Sequence, residues 1–398
     1  MNTDFDPRKI ESRLAKLAPA CRGLLAEPSG GDDVPHWRVI LESLTSDGDR
    51  AFVASDHWQD LKRCLAPLAD FQSPPLRLPE LDYDAPSEQL REGVKAAIRD
   101  YVETHAQKPL VILAPDVGIL HVVQRAGERD APLRNEVAVV TGAAGAIGAG
   151  ICRGLLQNGC RVAATDLPGE RLDNLVAEFA ETAGDRIIGV PLDVTDVESV
   201  TAGFNAVVRQ WGGVDIVIVN AGVPLVSSIV EMALEEFRLL EKVNVEGALL
   251  TLAEAGRLMR LQGTGGDIVL ISTKNVFSPG ARFGAYSATK AGAHQLARIA
   301  SLELAPFDIR VNMVAPDAVF ADGERKSGLW ETIGPDRMRD KGLSAEDLPE
   351  HYKNRSLLKA RVTAQHVANA VLFFVTRKTP TTGATIPVDG GLPDATPR

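Results

Sequence analysis

The sequence predicts a doubly wound α/β fold with a seven-stranded parallel Rossmann sheet, which a smaller N-terminal α/β domain precedes. Two patterns favour this fold. Seven short apolar runs alternate with helical patterns, and a glycine-rich turn follows the first run. The runs lack polar alternation, so we expect both faces of the sheet to be buried. The predicted strands are Val137–Val140, Arg161–Ala164, Ile187–Val190, Ile216–Val219, Ile268–Ile271, Arg310–Val314 and Thr385–Val388.

Length and charge bound the class of protein. The chain has 398 residues, of which 45% are hydrophobic and 24% are charged, as in ordinary globular proteins. This length favours two domains, which we place at residues 1–133 and 134–398. The net charge of −10 would repel the phosphate backbone of nucleic acid. We therefore expect no nucleic-acid partner; the motifs of the larger domain predict a small-molecule substrate.

Hydropathy and cysteine spacing predict the compartment. No apolar run reaches the ~18 residues that a membrane span needs, and the first residues lack the apolar core of a signal peptide. Cys21, Cys64, Cys152 and Cys160 match neither the spacing of zinc ligands nor a disulfide framework. We expect a reduced, cytoplasmic protein without a metal site or a membrane contact.

The N-terminal module has helical and strand patterns of its own but no recognisable chemistry. Amphipathic periodicity predicts two helices, and an apolar run predicts a strand. In chain order the features are a helix over 7–26, a proline-rich break at Ser73–Pro79, a helix over 87–105, a strand at Leu110–Leu113, a turn at Pro115–Gly118 and a linker at Gly127–Leu133.

The first strand of the larger domain runs into a glycine-rich loop, Thr141–Gly148, and then into a helix. Small residues let the backbone approach a diphosphate, whose charge the helix N-terminus attracts. Close packing of the helix on the sheet would also explain the glycines, but the strand before and the helix after favour a dinucleotide site. The predicted contacts are Gly142, Gly145, Ala146, Ile147 and Gly148.

Asp166 ends the next strand, 24 residues after Gly142. A carboxylate at this place can accept hydrogen bonds from both ribose hydroxyls of the adenosine and would repel a 2′-phosphate. This favours NAD over NADP. The alternative is that Asp166 is only a turn residue before Pro168 and Gly169.

Tyr286 and Lys290 share one face of a predicted helix, Tyr286–Leu304, because they stand four residues apart. A nearby ammonium lowers the pKa of a phenol, and such a phenol can take a proton from an alcohol while hydride leaves the carbon. A pair with this spacing is more often an exposed helix pair. Its place after the predicted strand Ile268–Ile271 favours the catalytic interpretation.

These motifs together resemble the short-chain dehydrogenase/reductase family over Val137–Gly391. The resemblance implies that Tyr286 is the general acid/base, that Lys290 lowers its pKa and holds the nicotinamide ribose, and that Asn244 anchors a water molecule that relays the proton. It also implies further cofactor contacts, which are Asp193, Val194, Asn220, Ala221, Gly222, Pro316 and Val319.

The family's third catalytic hydroxyl is usually a serine thirteen residues before the tyrosine, where this chain has Thr273. Ser272 is the alternative. Two further departures are Ala146, where the family has a glycine, and Asp317, where a glycine is usual. The resemblance also implies a homodimer or a homotetramer, built through the helices that begin near Val245 and Tyr286.

A long polar segment at about residues 320–356 occupies the position of the family's substrate lid. A mobile lid excludes water during hydride transfer, so its length suggests a polar substrate. Trp330 and Met338 could form its apolar wall. Six basic residues could contact an anion, although a solvated charged face is more common for each. They are Arg325, Lys326, Arg337, Arg339, Lys353 and Arg355.

More narrowly, the sequences at Thr273–Val276, Phe283–Tyr286 and Asn312–Phe320 resemble the dehydrogenase half of bifunctional rhamnulose phosphate aldolase/lactaldehyde dehydrogenases. Pro109–Gly118 resembles the tail of their aldolase domain. The N-terminal module is shorter than that domain and lacks a His-x-His metal pair among its histidines, so we expect no aldolase activity. These histidines are His36, His57, His105 and His121.

Together these patterns predict an NAD-dependent dehydrogenase that interconverts a hydroxyl and a carbonyl on a small polar, sugar-derived substrate. The alternative is a non-catalytic NAD-binding scaffold whose N-terminal module binds a partner or builds an oligomer. The presence of Tyr286, Lys290 and Asn244 favours the enzyme, because a scaffold has no need for all three groups.

Overall fold

A computed structural model of the chain describes residues 7–27, 38–43, 74–115, 117–123, 131–323 and 325–393. They belong to two compact units. The smaller unit combines the residues up to 129 with 204–214 and 257–265, and the larger unit contains the rest. The boundary near residue 133 stays a prediction. His36, His57, Cys64 and part of both Ser73–Pro79 and Gly127–Leu133 lie outside the described residues.

In the smaller unit, helices α1 (Pro7–Leu25) and α2 (Ser87–His105) accompany a four-stranded sheet. Its strands are β1 (Ile40–Ser43), β2 (Leu76–Arg77), β3 (Val111–Ala114) and β4 (Gly118–Val123), in the spatial order β1-β4-β3-β2. The two predicted helices and the strand at β3 are confirmed. Strand β4 was not predicted. It forms by antiparallel pairing with β3 and β1, and such pairing is not visible in a local sequence pattern.

The larger unit contains seven parallel strands in the order β13-β10-β9-β8-β5-β6-β7, which confirms the predicted fold class. A short hairpin, β11–β12, lies outside this sheet. The strands are β5 (Val137–Thr141), β6 (Arg161–Asp166), β7 (Ile187–Pro191), β8 (Ile216–Val219), β9 (Gly266–Ile271), β10 (Ile309–Pro316), β11 (Ala321–Asp322), β12 (Arg325–Lys326) and β13 (Thr385–Val388).

Nine further helices follow α2 in the described part of the chain, and none of the described helices is long and apolar enough to cross a membrane. They are α3 (Ala146–Gln157), α4 (Glu170–Ala183), α5 (Val197–Trp211), α6 (Leu234–Glu241), α7 (Gly247–Gln262), α8 (Gly284–Leu304), α9 (Gly328–Lys341), α10 (Asp347–Asn354) and α11 (Ala364–Val375). A π-helical turn, Lys242–Glu246, connects α6 to α7.

The strand order places a topological switch point between β5 and β8. From β5 the chain winds outward through β6 and β7, and then it returns to β8 and winds in the opposite direction. Loops at the carboxyl ends of β5 and β8 therefore diverge and leave a crevice between them, where open α/β sheets bind ligands. The fold thus predicts the site at this edge.

A buried ion pair fixes the opposite edge of the sheet. Arg377, which follows α11, donates to the Asp267 carboxylate at 2.7 Å and to the Asp308 carboxylate at 2.6 Å. It also donates to the carbonyl of Gly266 at 2.8 Å. The Arg377 side chain is 3% exposed and that of Asp267 is 7% exposed. This arginine therefore ties the end of α11 to the starts of β9 and β10.

Replacement of Arg377 by methionine should lower the free energy of unfolding by about 3 kcal/mol, because it removes the cation from a buried carboxylate. Urea denaturation measures the change. Arg339→Met is the matched control, since Arg339 is 75% exposed and should change the stability by less than about 0.5 kcal/mol. Equal midpoints for both variants would contradict the role assigned to Arg377.

Candidate active site

A cavity of about 720 Å³ opens at the carboxyl ends of the central strands. Its walls contain every predicted catalytic and cofactor-binding residue except Asn244. The glycine loop and Asp166 line one end, and Thr273, Tyr286 and Lys290 line the same continuous space. The volume lies in the range of small-molecule and cofactor sites.

The glycine loop closes tightly against the sheet. Gly142 has a φ of +63°, and a Cβ on Gly148 would lie 2.4 Å from the carbonyl oxygen of Gly142. The first N–H groups of helix α3, which begins at Ala146, have no acceptor within the helix, and no side chain caps them. Ala146 is helical, and its methyl group is therefore accommodated without strain. The loop fits a dinucleotide diphosphate.

The turn after β8 holds the loop in place. The Asn220 side chain donates to the carbonyls of Thr141 at 2.9 Å and Gly142 at 3.0 Å. The Thr141 hydroxyl accepts the N–H groups of Asn220 and Ala221 at 2.9 and 3.1 Å. A Cβ on Gly222 would lie 3.0 Å from both Asn244 Oδ1 and Lys290 Nζ. Asn220, Ala221 and Gly222 therefore connect the two ends of the cavity.

Two carboxylates stand at the nucleotide end. Asp166 accepts the N–H of Ala144 at 2.9 Å and that of Leu167 at 2.8 Å, so its position beside the loop is fixed. Asp193 accepts the N–H and the hydroxyl of Thr195, both at 2.8 Å, and these bonds lower its pKa. Both carboxylates line the cavity, and Val194 lies between Asp193 and Thr195 in its wall.

Tyr286 lies in the first turn of α8 and is 7% exposed. Its phenol forms a hydrogen bond with the Thr273 side chain, whose oxygen also accepts the N–H of Asn275 at 3.3 Å. Ser272 instead hydrogen-bonds Nδ1 of His294 at 2.9 Å. Of the two candidate hydroxyls, the one beside the phenol is therefore Thr273.

Burial decides the protonation of the phenol and of its neighbour. Burial raises the pKa of Tyr286 to about 12, against the opposing effect of its bond with Thr273. Burial also lowers the pKa of Lys290 to about 8. The expected lowering of the phenol pKa by Lys290 is wrong for the protein's own groups, because desolvation dominates and Lys290 Nζ donates to the carbonyl of Ile271 at 3.1 Å.

Asn244 lies behind the cavity wall, in the π-helical turn, and is 2% exposed. Its oxygen accepts the N–H of Val223 at 2.9 Å. Its amide donates to the carbonyl of Val223 at 3.0 Å and to Thr289 at 3.1 Å, and Thr289 donates to the carbonyl of Tyr286. Asn244 thereby connects the turn beside Gly222 to the start of α8.

The predicted lid segment forms β11, β12, α9 and α10, and parts of it cover the cavity. Trp330 stacks on Phe320 with ring centroids 4.3 Å apart and meets Tyr352 edge-on at 4.8 Å. Trp330 lines the cavity as predicted, but Met338 does not. The roles of Phe320 and Tyr352 were not predicted, because only the folded segment brings these rings together.

Two of the six predicted anion contacts reach the cavity. Arg337 and Arg355 line it, and Arg355 forms an ion pair with Asp317, which explains the place of Asp317. The other four do not line it: Arg325, Arg339 and Lys353 pair with Glu178, Asp336 and Glu350, and Lys326 is exposed. Lys274 also lines the cavity and was not predicted, although its position directly after Thr273 is a signal in the sequence.

Within the described residues, no three histidine, cysteine or acidic side chains cluster in a way that could hold a metal ion. Cys152 and Cys160 are buried free thiols in the larger unit, and Cys21 is one in the smaller unit. Burial raises the pKa of Cys152 and of Cys21 to about 12.

Comparison with known proteins identifies relatives of this chain. The profile of the short chain dehydrogenase family matches residues 136–332. An uncharacterized oxidoreductase of Bacillus subtilis, YuxG, is 35% identical over 268 residues, which are 67% of this chain and 38% of that protein. This chain therefore spans well under half the length of that relative. Sorbitol-6-phosphate 2-dehydrogenase of Escherichia coli is 30% identical over 65% of this chain and 98% of that protein.

A solved structure agrees with the sequence comparison. The crystal structure of sorbitol-6-phosphate 2-dehydrogenase SrlD from Erwinia amylovora superposes with a TM-score of 0.60 and 30% sequence identity. The superposition covers 64% of this chain and 98% of that chain. It supports the α/β fold of the larger unit.

Because burial lowers the pKa of Lys290 from 10.5 to about 8, the unfolded chain binds more protons than the folded chain between these pH values. Lys290→Met should therefore raise the free energy of unfolding at pH 7 by about 3 kcal/mol, and about half of this gain should disappear by about pH 9.5. Urea denaturation at both pH values tests this. A gain that is independent of pH would contradict the assigned burial.

Proposed function

This chain belongs to the short-chain dehydrogenase/reductase family of oxidoreductases, and we propose that it is an NAD-dependent dehydrogenase of a small polar, sugar-derived alcohol. The observation that carries the proposal is one continuous cavity, in which the glycine loop and Asp166 share a space with Tyr286, Lys290 and Thr273. Nucleotide-binding and proton-transfer groups together fit hydride transfer between an alcohol and a nicotinamide.

Tyr286 is the proton-transfer group in this proposal. Its raised pKa keeps the phenol protonated, so it can donate to the carbonyl oxygen when a ketone or an aldehyde is reduced. Thr273 orients the substrate oxygen beside the phenol, and Lys290 supports the charge that develops there. A bound nicotinamide would supply the hydride chemistry, and the positive charge of its oxidised form would favour the Tyr286 phenolate, which takes the proton during alcohol oxidation.

Asn244 is a positioning residue in this proposal. Both donors of its amide are bound within the protein, so an oxygen of this residue would hold the water molecule that relays the proton. The packing of Asn244 and Lys290 against Gly222 supports this role, because a side chain at position 222 would push both groups away.

The preference for NAD rests on Asp166. Its carboxylate lies at the end of β6 and is fixed by two backbone N–H groups beside the loop. Carboxylate oxygens accept further hydrogen bonds, so Asp166 can bind ribose hydroxyls while its charge repels a 2′-phosphate. We propose that Gly142, Gly145, Ala146, Ile147 and Gly148 hold the diphosphate, and that the remaining predicted contacts border the adenine and nicotinamide. These are Asp193, Val194, Asn220, Ala221, Gly222, Pro316 and Val319.

The substrate class is proposed from the relatives and from the lid. The relatives include two sorbitol-6-phosphate 2-dehydrogenases, and the lid supplies both polar and aromatic groups. We also propose that this chain is related to the dehydrogenase half of rhamnulose phosphate aldolase/lactaldehyde dehydrogenases. We propose that it assembles as a homodimer or a homotetramer. The division into residues 1–133 and 134–398 is part of the same proposal.

The full-length protein should reduce NAD with at least one member of a panel of polyols, aldoses, sugar acids and lactaldehyde. Tyr286→Phe and Thr273→Val should each lower kcat/KM by at least about 100-fold, because each loses a group that acts on the reacting oxygen. Ser272→Ala is the matched control and should keep most of the activity. Near wild-type turnover in Tyr286→Phe contradicts the mechanism, and tight NAD binding without turnover on any substrate favours a scaffold.

Asp166→Ser should shift the ratio of kcat/KM for NAD to that for NADP toward NADP by at least about tenfold, because it removes a charged acceptor and a repulsive charge. Initial rates with both cofactors measure the ratio. Asp173→Ser is the matched control, since Asp173 lies exposed on α4 and does not line the cavity. An unchanged ratio in Asp166→Ser would assign Asp166 to the turn alone.

A further inference from the structure

Three basic side chains converge at the end of the cavity that holds Thr273 and Tyr286. Lys274 directly follows Thr273, Arg337 lies on α9 and Arg355 follows α10, and all three line the cavity. Burial lowers the pKa of Lys274, and the charges of Arg355 and Arg337 lower it further. Lys274 is therefore close enough to both arginines for their charges to repel it.

The two arginines are held in place by contacts that leave hydrogen-bonding capacity. Arg355 forms an ion pair with Asp317 and lies over the ring of Tyr352, 4.1 Å from its centroid. Its Nε atom is buried without a hydrogen-bond partner among the described residues. Arg337 donates from Nε to the Tyr352 hydroxyl at 3.3 Å and lies 4.6 Å from the ring centroid of Phe283. Its terminal nitrogens remain available to a ligand.

Acidic side chains do not balance this cluster. Of the acids that line the cavity in the described part of the chain, only Asp317 lies at this end, and it pairs with Arg355. The charge of Asp317 raises the pKa of Lys274, and that of Asp389 does so to a smaller extent, but burial and the arginines outweigh them. Neither Lys274 nor Arg337 has an acidic partner within 4 Å among the residues that the structure describes. Partly buried like charges without counter-charges are costly, and a bound anion would remove this cost.

The position of the cluster indicates which ligand it serves. The glycine loop and the start of α3 already provide a diphosphate site at the other end of the cavity. Arg337 packs on Phe283, whose ring lies 5.9 Å from that of Tyr286. Lys274 adjoins Thr273, which hydrogen-bonds the same phenol. The cations therefore border the groups that act on the substrate oxygen.

We propose that Lys274, Arg337 and Arg355 bind an anionic group of the substrate, which is a phosphate ester or a carboxylate. The inference rests on the proposed dehydrogenase function and names its substrate class. Arginine forks and a lysine ammonium are the groups that bind such anions in proteins. The aromatic rings of Tyr352 and Phe283 hold the arginines in the orientation that this binding needs.

Binding of inorganic phosphate to the NAD-saturated, full-length protein tests the site without turnover. Isothermal titration calorimetry in a buffer without phosphate should detect binding, and Arg337→Gln and Lys274→Gln should each weaken it by at least about tenfold. Arg339→Gln, on the exposed face of the same helix, should leave it unchanged. Absence of binding to the wild type, or equal binding in all four proteins, would overturn the proposal.

Turnover distinguishes the two kinds of anion. A neutral polyol, its phosphate ester and the corresponding sugar acid form a matched set. The wild type should favour one anionic member in kcat/KM by at least about tenfold, and Arg337→Gln should remove this preference through KM. Arg337→Lys, which restores the charge, should recover part of it. A preference for the neutral polyol would overturn this inference and leave the dehydrogenase function intact.

The experiments give different results when the dehydrogenase function is wrong and when the anion site is wrong. If no substrate were oxidised or reduced, the proposed function would be wrong, whereas phosphate binding would still report on the cations. The affinity for NAD provides the last comparison and should be equal in the wild type and in Arg337→Gln. Weaker NAD binding with unchanged phosphate binding would assign the cluster to the cofactor and overturn the inference.

Discussion

The burial of Tyr286 and Lys290, four residues apart on α8, is the constraint on which the proposed chemistry depends. A buried ammonium is costly, and Lys290 donates to the carbonyl of Ile271. The same desolvation raises the pKa of the phenol, so the protein alone keeps Tyr286 neutral. Such a pair adds little to the free energy of folding. It favours proton transfer, because charges that develop during the reaction interact strongly in a cavity that excludes water.

Hydrogen bonds from the neighbouring turns hold the start of α8, which carries this pair. Asn244 ties the start of α8 to the turn at Gly222, and Asn220 ties the same turn to the glycine loop. The two ends of the cavity are thus joined by amide side chains and not by the loops alone. At the opposite edge of the sheet, Arg377 fixes α11 to β9 and β10. A rigid sheet therefore carries a site whose parts come from loops far apart in sequence.

The lid combines two different kinds of group. Its aromatic rings, Phe320, Trp330 and Tyr352, pack on one another, and Trp330 and Tyr352 line the cavity. The same Tyr352 ring supports Arg355, and its hydroxyl accepts a hydrogen bond from Arg337. The wall that excludes water is thus also the support of the basic cluster. This arrangement joins substrate recognition to the exclusion of water, which hydride transfer requires.

The sequence by itself determined the seven strands, the glycine loop, the place of Asp166 and the spacing of Tyr286 and Lys290. These are local patterns, and neighbours along the chain decide them. Only the tertiary structure decided between Thr273 and Ser272 as the hydroxyl beside the phenol, and only it separated Arg337 and Arg355, which line the cavity, from the four predicted basic residues that do not. It also reversed the expected pKa of Tyr286. The reason is that burial and side-chain partners depend on groups distant in sequence, which no local pattern contains.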